Sequence, residues 1–415
     1  MLFKVKNLGL IDEAEVKLGG ITVITGKNNV GKSTIGKMLY CVNNVFLYGN
    51  IERMKIYRIE RTITNHFREQ GLTALMMQEI ENLVEDTDIA KKIAHESNAS
   101  RVGPMLKAIF IDHLGVDKEG SDLAKKVFHI VKTDEMESYS DLLAIAVAAN
   151  FSGDTQNVYG ETDSPTEIQL ELANPKRTME ATITHDWTQT PTISGFESIA
   201  LEEAIYIESP RVAQDSEKRI IGFNFNSRQR VLQMLTEESD KDYWETKEMK
   251  LELKTILDKV SSCAPGNLVK QDSFSNKLVY EEDGQRFDLV DVSNGVKTFA
   301  ILKKLLNNGK LKRNGLLILD EPEIHLHPEW QLVFVEILIL LQKQLNLKIL
   351  INTHSVYLLM AIEDYSKMHQ VEAQCNYYYI EREGNHSNCK DYTKEIGDIY
   401  QYFAKPLDTL HNEVK

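Results

Sequence analysis

The feature that most restricts this chain is residues 26–34, Gly-Lys-Asn-Asn-Val-Gly-Lys-Ser-Thr, set between the apolar run 21–25 and a stretch with helical spacing, 33–48. A run apolar on both faces predicts a strand buried in a parallel sheet. Strand, loop and helix together match G-x-x-x-x-G-K-[ST] in the context that pattern requires. Such a loop is an anion cradle. Gly26 and Gly31 allow backbone angles and close approach that a Cβ forbids, and the loop amides and helix N-terminus present partial positive charge. Lys32 suits β- and γ-phosphates and the Ser33 hydroxyl suits Mg²⁺. ATP and Mg²⁺ are the expected ligands, with Gly26, Asn28, Asn29, Gly31, Lys32, Ser33 and Thr34 as candidate nucleotide-binding residues.

Three later features bear on the same chemistry. The wholly apolar run 316–319 ends in Asp320-Glu321-Pro322, at the strand end where open α/β sheets hold ligands. Adjacent strand residues point to opposite faces, so the two acids take different roles: Asp320 as the Mg²⁺ partner, Glu321 as the group that polarises the attacking water. Ser293-Asn294-Gly295-Val296-Lys297 opens a helix over 294–306. Ser293 is a good N-cap, and Gly295 would let a ligand approach the first free amides. A two-fold partner could bring this second helix start to the same ATP; an ordinary capped helix is the plainer alternative. His354 follows the strand 348–352 and could bond the γ-phosphate or the water as a switch, or be a structural histidine.

The 415 residues suit two or three domains, or one large α/β domain with insertions. Short strands are expected at 2–5 and 14–18, and residues 51–149, with Pro104 their one proline, read as a helical insertion. Hairpins are expected over 166–172 and 178–185, turning at Asn174-Pro175, and over 277–280 and 287–290, turning at Asp283-Gly284. A strand is expected at 204–207 and a charged, projecting helical segment at 228–260. The resulting partition is 1–50 and 151–212 as pieces of one head, 51–150 and 213–265 as insertions, and 266–415 as the head's C-terminal part. A net charge of −14 argues against a broadly basic nucleic-acid-binding surface; Arg53, Lys55, Arg58, Arg61 and Arg68 form a local basic run that leaves nucleic-acid contact open. Four scattered cysteines give no zinc or disulfide pattern and fit a reducing compartment. The N-terminus lacks a signal-peptide core, and the apolar run 332–341 is too short to span a bilayer. A cytoplasmic protein without a membrane partner is expected.

In chain order, GKNNVGKST, VSNGVK, LLILDEPEIHLHP and LINTHS resemble the ABC-type ATPases, in the AAA ATPase branch that holds SMC, RecF and overcoming-lysogenization-defect (OLD) proteins. Residues 3–34 and 291–359 carry the match. Glu323 to Pro328, 206–211 and 399–410 look like OLD-like and Septu-like defence ATPases. The resemblance implies an α/β fold of P-loop head-domain type: a mixed central sheet with flanking helices, an antiparallel β-subdomain and helical insertions. It implies a homodimer, or a higher oligomer, with ATP between subunits. Lys32, Ser33 and Thr34 would hold phosphate and metal, Asp320 would orient the metal, Glu321 would be the general base and His354 the switch, with Ser293 and Gly295 reaching the γ-phosphate from the partner. Asn294 departs from the small residue common there, which weakens that trans contact, and the Q-loop glutamine has no identified counterpart. OLD proteins continue into a nuclease domain, for which residues 355–415 are too few, and no nuclease-like cluster stands out. A regulatory ATPase of an anti-phage system acting on a separate effector is the leading expectation. A RecF-like DNA clamp is the alternative, and a transporter ATPase fits poorly.

Overall fold

The computed structural model describes residues 1–47, 51–110, 121–132, 135–151, 164–173, 176–184, 190–195, 201–215, 225–237, 247–272 and 276–413. The chain divides into two compact units, one made of residues 1–45, 143–220 and 224–415, the other of 46–142 and 221–223.

In the larger unit the apolar runs become strands β1 (Leu2–Leu8), β2 (Ile11–Lys17), β3 (Ile21–Gly26), β4 (Thr166–Ala173), β5 (Lys176–Ile183), β6 (Thr192–Ser194) and β7 (Ala204–Ile207). After these come β8 (Asn267–Lys270), β9 (Leu278–Glu282), β10 (Gln285–Asp288), β11 (Leu316–Asp320), β12 (Lys348–Thr353), β13 (Cys375–Glu383) and β14 (His386–Asp391). Eleven of them form one sheet in the order β6-β5-β4-β1-β2-β14-β13-β3-β12-β11-β7. The stretch β13-β3-β12-β11-β7 is parallel throughout, whereas β6-β5-β4-β1-β2 is antiparallel. The expected α/β class with a mixed central sheet is what the chain adopts.

The two hairpins part company. β4 and β5 join the main sheet, and their expected turn at Asn174-Pro175 lies outside the described residues. β9 and β10 pair with β8 in a separate three-stranded sheet. Asp283 and Gly284 turn that hairpin with φ of 50° and 76°, the positive angles a two-residue turn needs to match strand twist.

The larger unit's helices are α1 (Lys32–Leu47, whose last residues enter the smaller unit), then α8 (Ser227–Thr236), α9 (Lys247–Cys263), α10 (Asn294–Asn307), α11 (Pro328–Leu345), α12 (Val356–Met368) and α13 (Ile396–Glu413). Strand alternation decides which helices each residue meets. Val23, Ile205, Leu317, Leu319, Ile349 and Ile351 belong to one large core with residues of α8 to α12. The residues between them, Tyr206, Ile318 and Asn352, lie beside Gly36 of α1. The segment expected to project is corrected here. α9 lays Leu253, Ile256 and Val260, one stripe at helical spacing, into that core, and Lys259 pairs with Glu336 of α11 at 2.8 Å.

The smaller unit contains α2 (Ile51–Glu69), α3 (Ala74–Asp86), α4 (Ile89–Ala94), α5 (Ala99–Phe110), α6 (Ser121–Lys132) and the start of α7 (Glu135–Phe151). It has its own core, built from Ile59, Ile63 and Phe67 of α2, Ile80 of α3, Leu106 and Phe110 of α5 and Val127 of α6.

Candidate active site

Parallel register brings the C-terminal ends of five strands to one edge. Thr25 pairs with Thr353 and with Tyr379, Asp320 pairs with Asn352, and Ile318 with Tyr206. Buried strand interiors enforce this alignment, because a one-residue slip would exchange the side chains that meet α1 for those that pack into the large core.

The loop leaving β3 turns on Gly26 (φ 150°), Asn29 (φ 57°) and Gly31 (φ 99°). A Cβ on Gly26 would lie 2.6 Å from the Ile380 carbonyl oxygen of β13, so the turn requires glycine there. Asn28 and Asn29 are exposed at the loop's tip. Lys32 is only 5% exposed. Its ammonium donates to the carbonyls of Lys27 (2.8 Å) and Gly26 (3.3 Å) and lies 3.5 Å from His354 Nδ1. Burial lowers its pKa to about 8, against the pull of Glu321, Asp320 and Glu323.

Ser33 Oγ donates to Asp320 Oδ1 at 3.0 Å. Asp320 also accepts from Asn352 Nδ2 (2.9 Å) and from the Tyr206 hydroxyl (3.1 Å). Burial, and then Asp320's own charge, push the Tyr206 phenol far up, so it stays a donor. These residues share the face turned to α1, which is why the serine at that helix's start meets the acid at a strand's end. Glu321, one residue on, takes the left-handed conformation (φ 47°). Its amide donates to the Asn352 carbonyl at 2.8 Å, and its Oε1 lies 2.8 Å from His354 Nε2. With Lys32 as donor at Nδ1, the network selects the tautomer that donates Nε2–H to Glu321.

Lys32, Ser33, Asp320, Glu321 and His354 therefore come together. Thr34 sits one residue along α1, facing the turn at Gly9. Ser293 and Gly295 make local contacts. Ser293 is exposed and caps α10 by accepting from the Val296 amide at 3.3 Å. Gly295 is buried, and a Cβ on it would sit 3.1 Å from the His325 carbonyl oxygen and 3.2 Å from the Trp330 ring. Its missing side chain serves close packing of α10 on α11 and on the loop after β11, a reason the sequence reading did not consider.

Sequence reasoning passed over the roles of Tyr206, Asn352 and Glu323. Asn352 closes the apolar run 349–351 and Tyr206 interrupts the run 204–207, each as a single polar group, the signal that could have marked them. A carboxylate and a hydroxyl oxygen meeting beside a phosphate loop fit Mg²⁺, which favours a few hard oxygen ligands plus substrate phosphate and water. Among the described residues no group of three or more His, Cys, Asp or Glu could hold a metal by itself. A cleft runs from Asp320 and Glu321 between Glu208-Ser209-Pro210 and Thr298, Ile301 and Leu302 of α10. At its rim Glu208 pairs with Lys37 of α1 at 3.0 Å.

The basic run on α2 is largely engaged within its own unit. Arg58 pairs with Asp141, Lys55 donates to the Val131 carbonyl at 2.8 Å, and Arg68 pairs with Glu81 at 3.6 Å. Among the described residues no helix is long and apolar enough to cross a membrane.

A family model described as an AAA ATPase domain matches residues 1–359. Among solved structures, an SMC head bound to the C-winged helix domain of ScpA matches at 10% identity, covering 94% of this chain and 96% of that one, with a TM-score of 0.43. The SMC head domain from Thermotoga maritima matches at 11% identity, 94% and 97% coverage and 0.40. An Smc head with an extended coiled coil, bound to the C-terminal domain of ScpA derived from Pyrococcus furiosus, matches at 11%, 100% and 99%, and 0.44. At these scores the likeness adds nothing to the fold already described.

Proposed function

The chain belongs to the AAA ATPase domain family, and from that premise we propose that it binds Mg-ATP at residues 26–34 and hydrolyses it. The observation that carries this is the 3.0 Å bond between Ser33 and Asp320, with Lys32 on one side and the Glu321–His354 pair on the other. Bound Mg²⁺ would neutralise phosphate charge, with Ser33 and Asp320 as its protein ligands. Lys32 and the loop amides would hold the phosphates. Glu321 would take a proton from the attacking water, its carboxylate oriented by His354 Nε2–H.

We further propose that the chain works as a dimer, the partner's helix start at Ser293 completing the nucleotide's surroundings, and that it controls a separate effector in anti-phage defence. The support is resemblance: the Glu323–Pro328 segment and the 399–410 region look like the defence ATPases. The engagement of Lys55, Arg58 and Arg68 within their own unit weakens the support for a DNA clamp.

Purified chain with magnesium should release phosphate from ATP, and Lys32→Ala should abolish this. Near-normal turnover in that variant would sink the phosphate-loop assignment. For the defence role, cells carrying this gene with its neighbours should plaque phage less efficiently than cells carrying Lys32→Ala; equal plaquing would remove that reading.

A further inference from the structure

Beside the proposed base lies a second acid that the ATPase chemistry does not use. Glu323 is 8% exposed. One oxygen, Oε1, accepts from the Thr353 hydroxyl at 2.5 Å and from the His354 amide at 2.9 Å. The other, Oε2, is buried and has no hydrogen-bond partner among the described residues. Burial raises its pKa. An acid held like this is costly, since buried polar atoms without partners lose their hydration uncompensated.

What it holds is the turn that carries the histidine. Thr353 Oγ1 also accepts from the Ser355 amide at 2.9 Å, so residues 353, 354 and 355 are all tied, directly or through Thr353, to a single carboxylate oxygen. Farther out, Ser355 Oγ donates to Gln331 Oε1 at 3.0 Å, and Gln331 Nε2 donates to the Leu326 carbonyl at 3.1 Å. At the inner end the Glu321 amide reaches the Asn352 carbonyl. The loop after β11 and the turn after β12 are thus laced at both ends, and the Glu323 side chain crosses between them in the middle, beside the Glu321–His354 pair.

We propose that Glu323 is a positioning residue that fixes the His354 turn so that the imidazole meets Glu321. This rests on the ATPase reading of the site. A rigid clamp makes physical sense here because a displacement of about 1 Å in a catalytic constellation can cost on the order of 100-fold in rate.

Two variants separate geometry from charge. Glu323→Gln keeps a carbonyl oxygen that accepts both bonds, and should retain kcat within about threefold. Glu323→Ala removes the acceptor and should lower kcat about 10- to 100-fold while ATP affinity, read with a fluorescent nucleotide, stays within about threefold. Because Glu323 acts through the histidine, adding Glu323→Ala to His354→Ala should cost nothing further. The His354 ring signal in the NMR spectrum, identified by its loss in His354→Ala, should move in Glu323→Ala and stay in place in Glu323→Gln. Wild-type kcat in Glu323→Ala, multiplied losses in the double variant, or an unmoved His354 signal would each overturn the proposal. A wild type that releases no phosphate would sink the ATPase reading instead, while the histidine signal would still decide whether Glu323 holds the turn.

Discussion

At the proposed phosphate site, the buried ammonium of Lys32 should make ATP binding proton-linked, and the size of the linkage follows from its surroundings. Its pKa of about 8 leaves about nine-tenths of free protein charged at pH 7 and about one-tenth at pH 9. A phosphate against the ammonium favours the charged form. If it restores the ordinary 10.5, the bound state stays protonated at both pH values. The sign is then fixed: binding takes up a proton above pH 8 and weakens as pH rises. The affinity should fall about tenfold from pH 7 to pH 9, with uptake approaching about nine-tenths of a proton per nucleotide. Calorimetry at both pH values, in two buffers of different ionisation enthalpy, measures each quantity. Flat affinity without proton uptake would refute the reasoning, as would the same slope surviving in Lys32→Ala.

Glu321→Gln preserves shape and should keep ATP bound while turnover falls about 100- to 1,000-fold; light scattering with ATP should show a persistent dimer, and normal hydrolysis would remove Glu321 as the base. Gly295→Ala tests the packing found at α10. Alanine favours helix by about 0.5–1 kcal/mol, but the new Cβ meets the His325 carbonyl at 3.1 Å and the Trp330 indole at 3.2 Å, each of which must shift by a few tenths of an ångström, an overpacking cost of about 1–3 kcal/mol. Urea unfolding followed by tryptophan fluorescence should therefore show a net loss of stability without nucleotide. Unchanged stability with lost ATP-dependent dimerisation would favour a ligand-approach role for that glycine.

The parallel half of the sheet was legible because burial on both faces leaves a distinctive mark: runs such as 21–25, 316–319 and 348–352 have few other uses. The phosphate loop and the acids at 320 and 321 were legible because their chemistry requires a fixed spacing. β13 escaped notice although it pairs with the very strand that feeds the loop, since Asn376 and three tyrosines disguise a strand whose residues 375–380 are all buried. α9 was misjudged because its charges outnumber the narrow stripe it buries. Tyr206, Asn352 and Glu323 act across segments distant in sequence, and no local pattern announces a hydrogen bond closed only by the fold. Gly295 illustrates a subtler loss. A short motif cannot say whether a missing side chain makes room for a ligand or for a tryptophan.

The left-handed backbone at Glu321 sets stability against reactivity at one position. A non-glycine residue at φ 47° occupies a conformation that costs on the order of 1 kcal/mol, and asparagine or glycine would sit there with less strain. At the position of the proposed base, the side chain that the chemistry would require is therefore one that the backbone conformation disfavours.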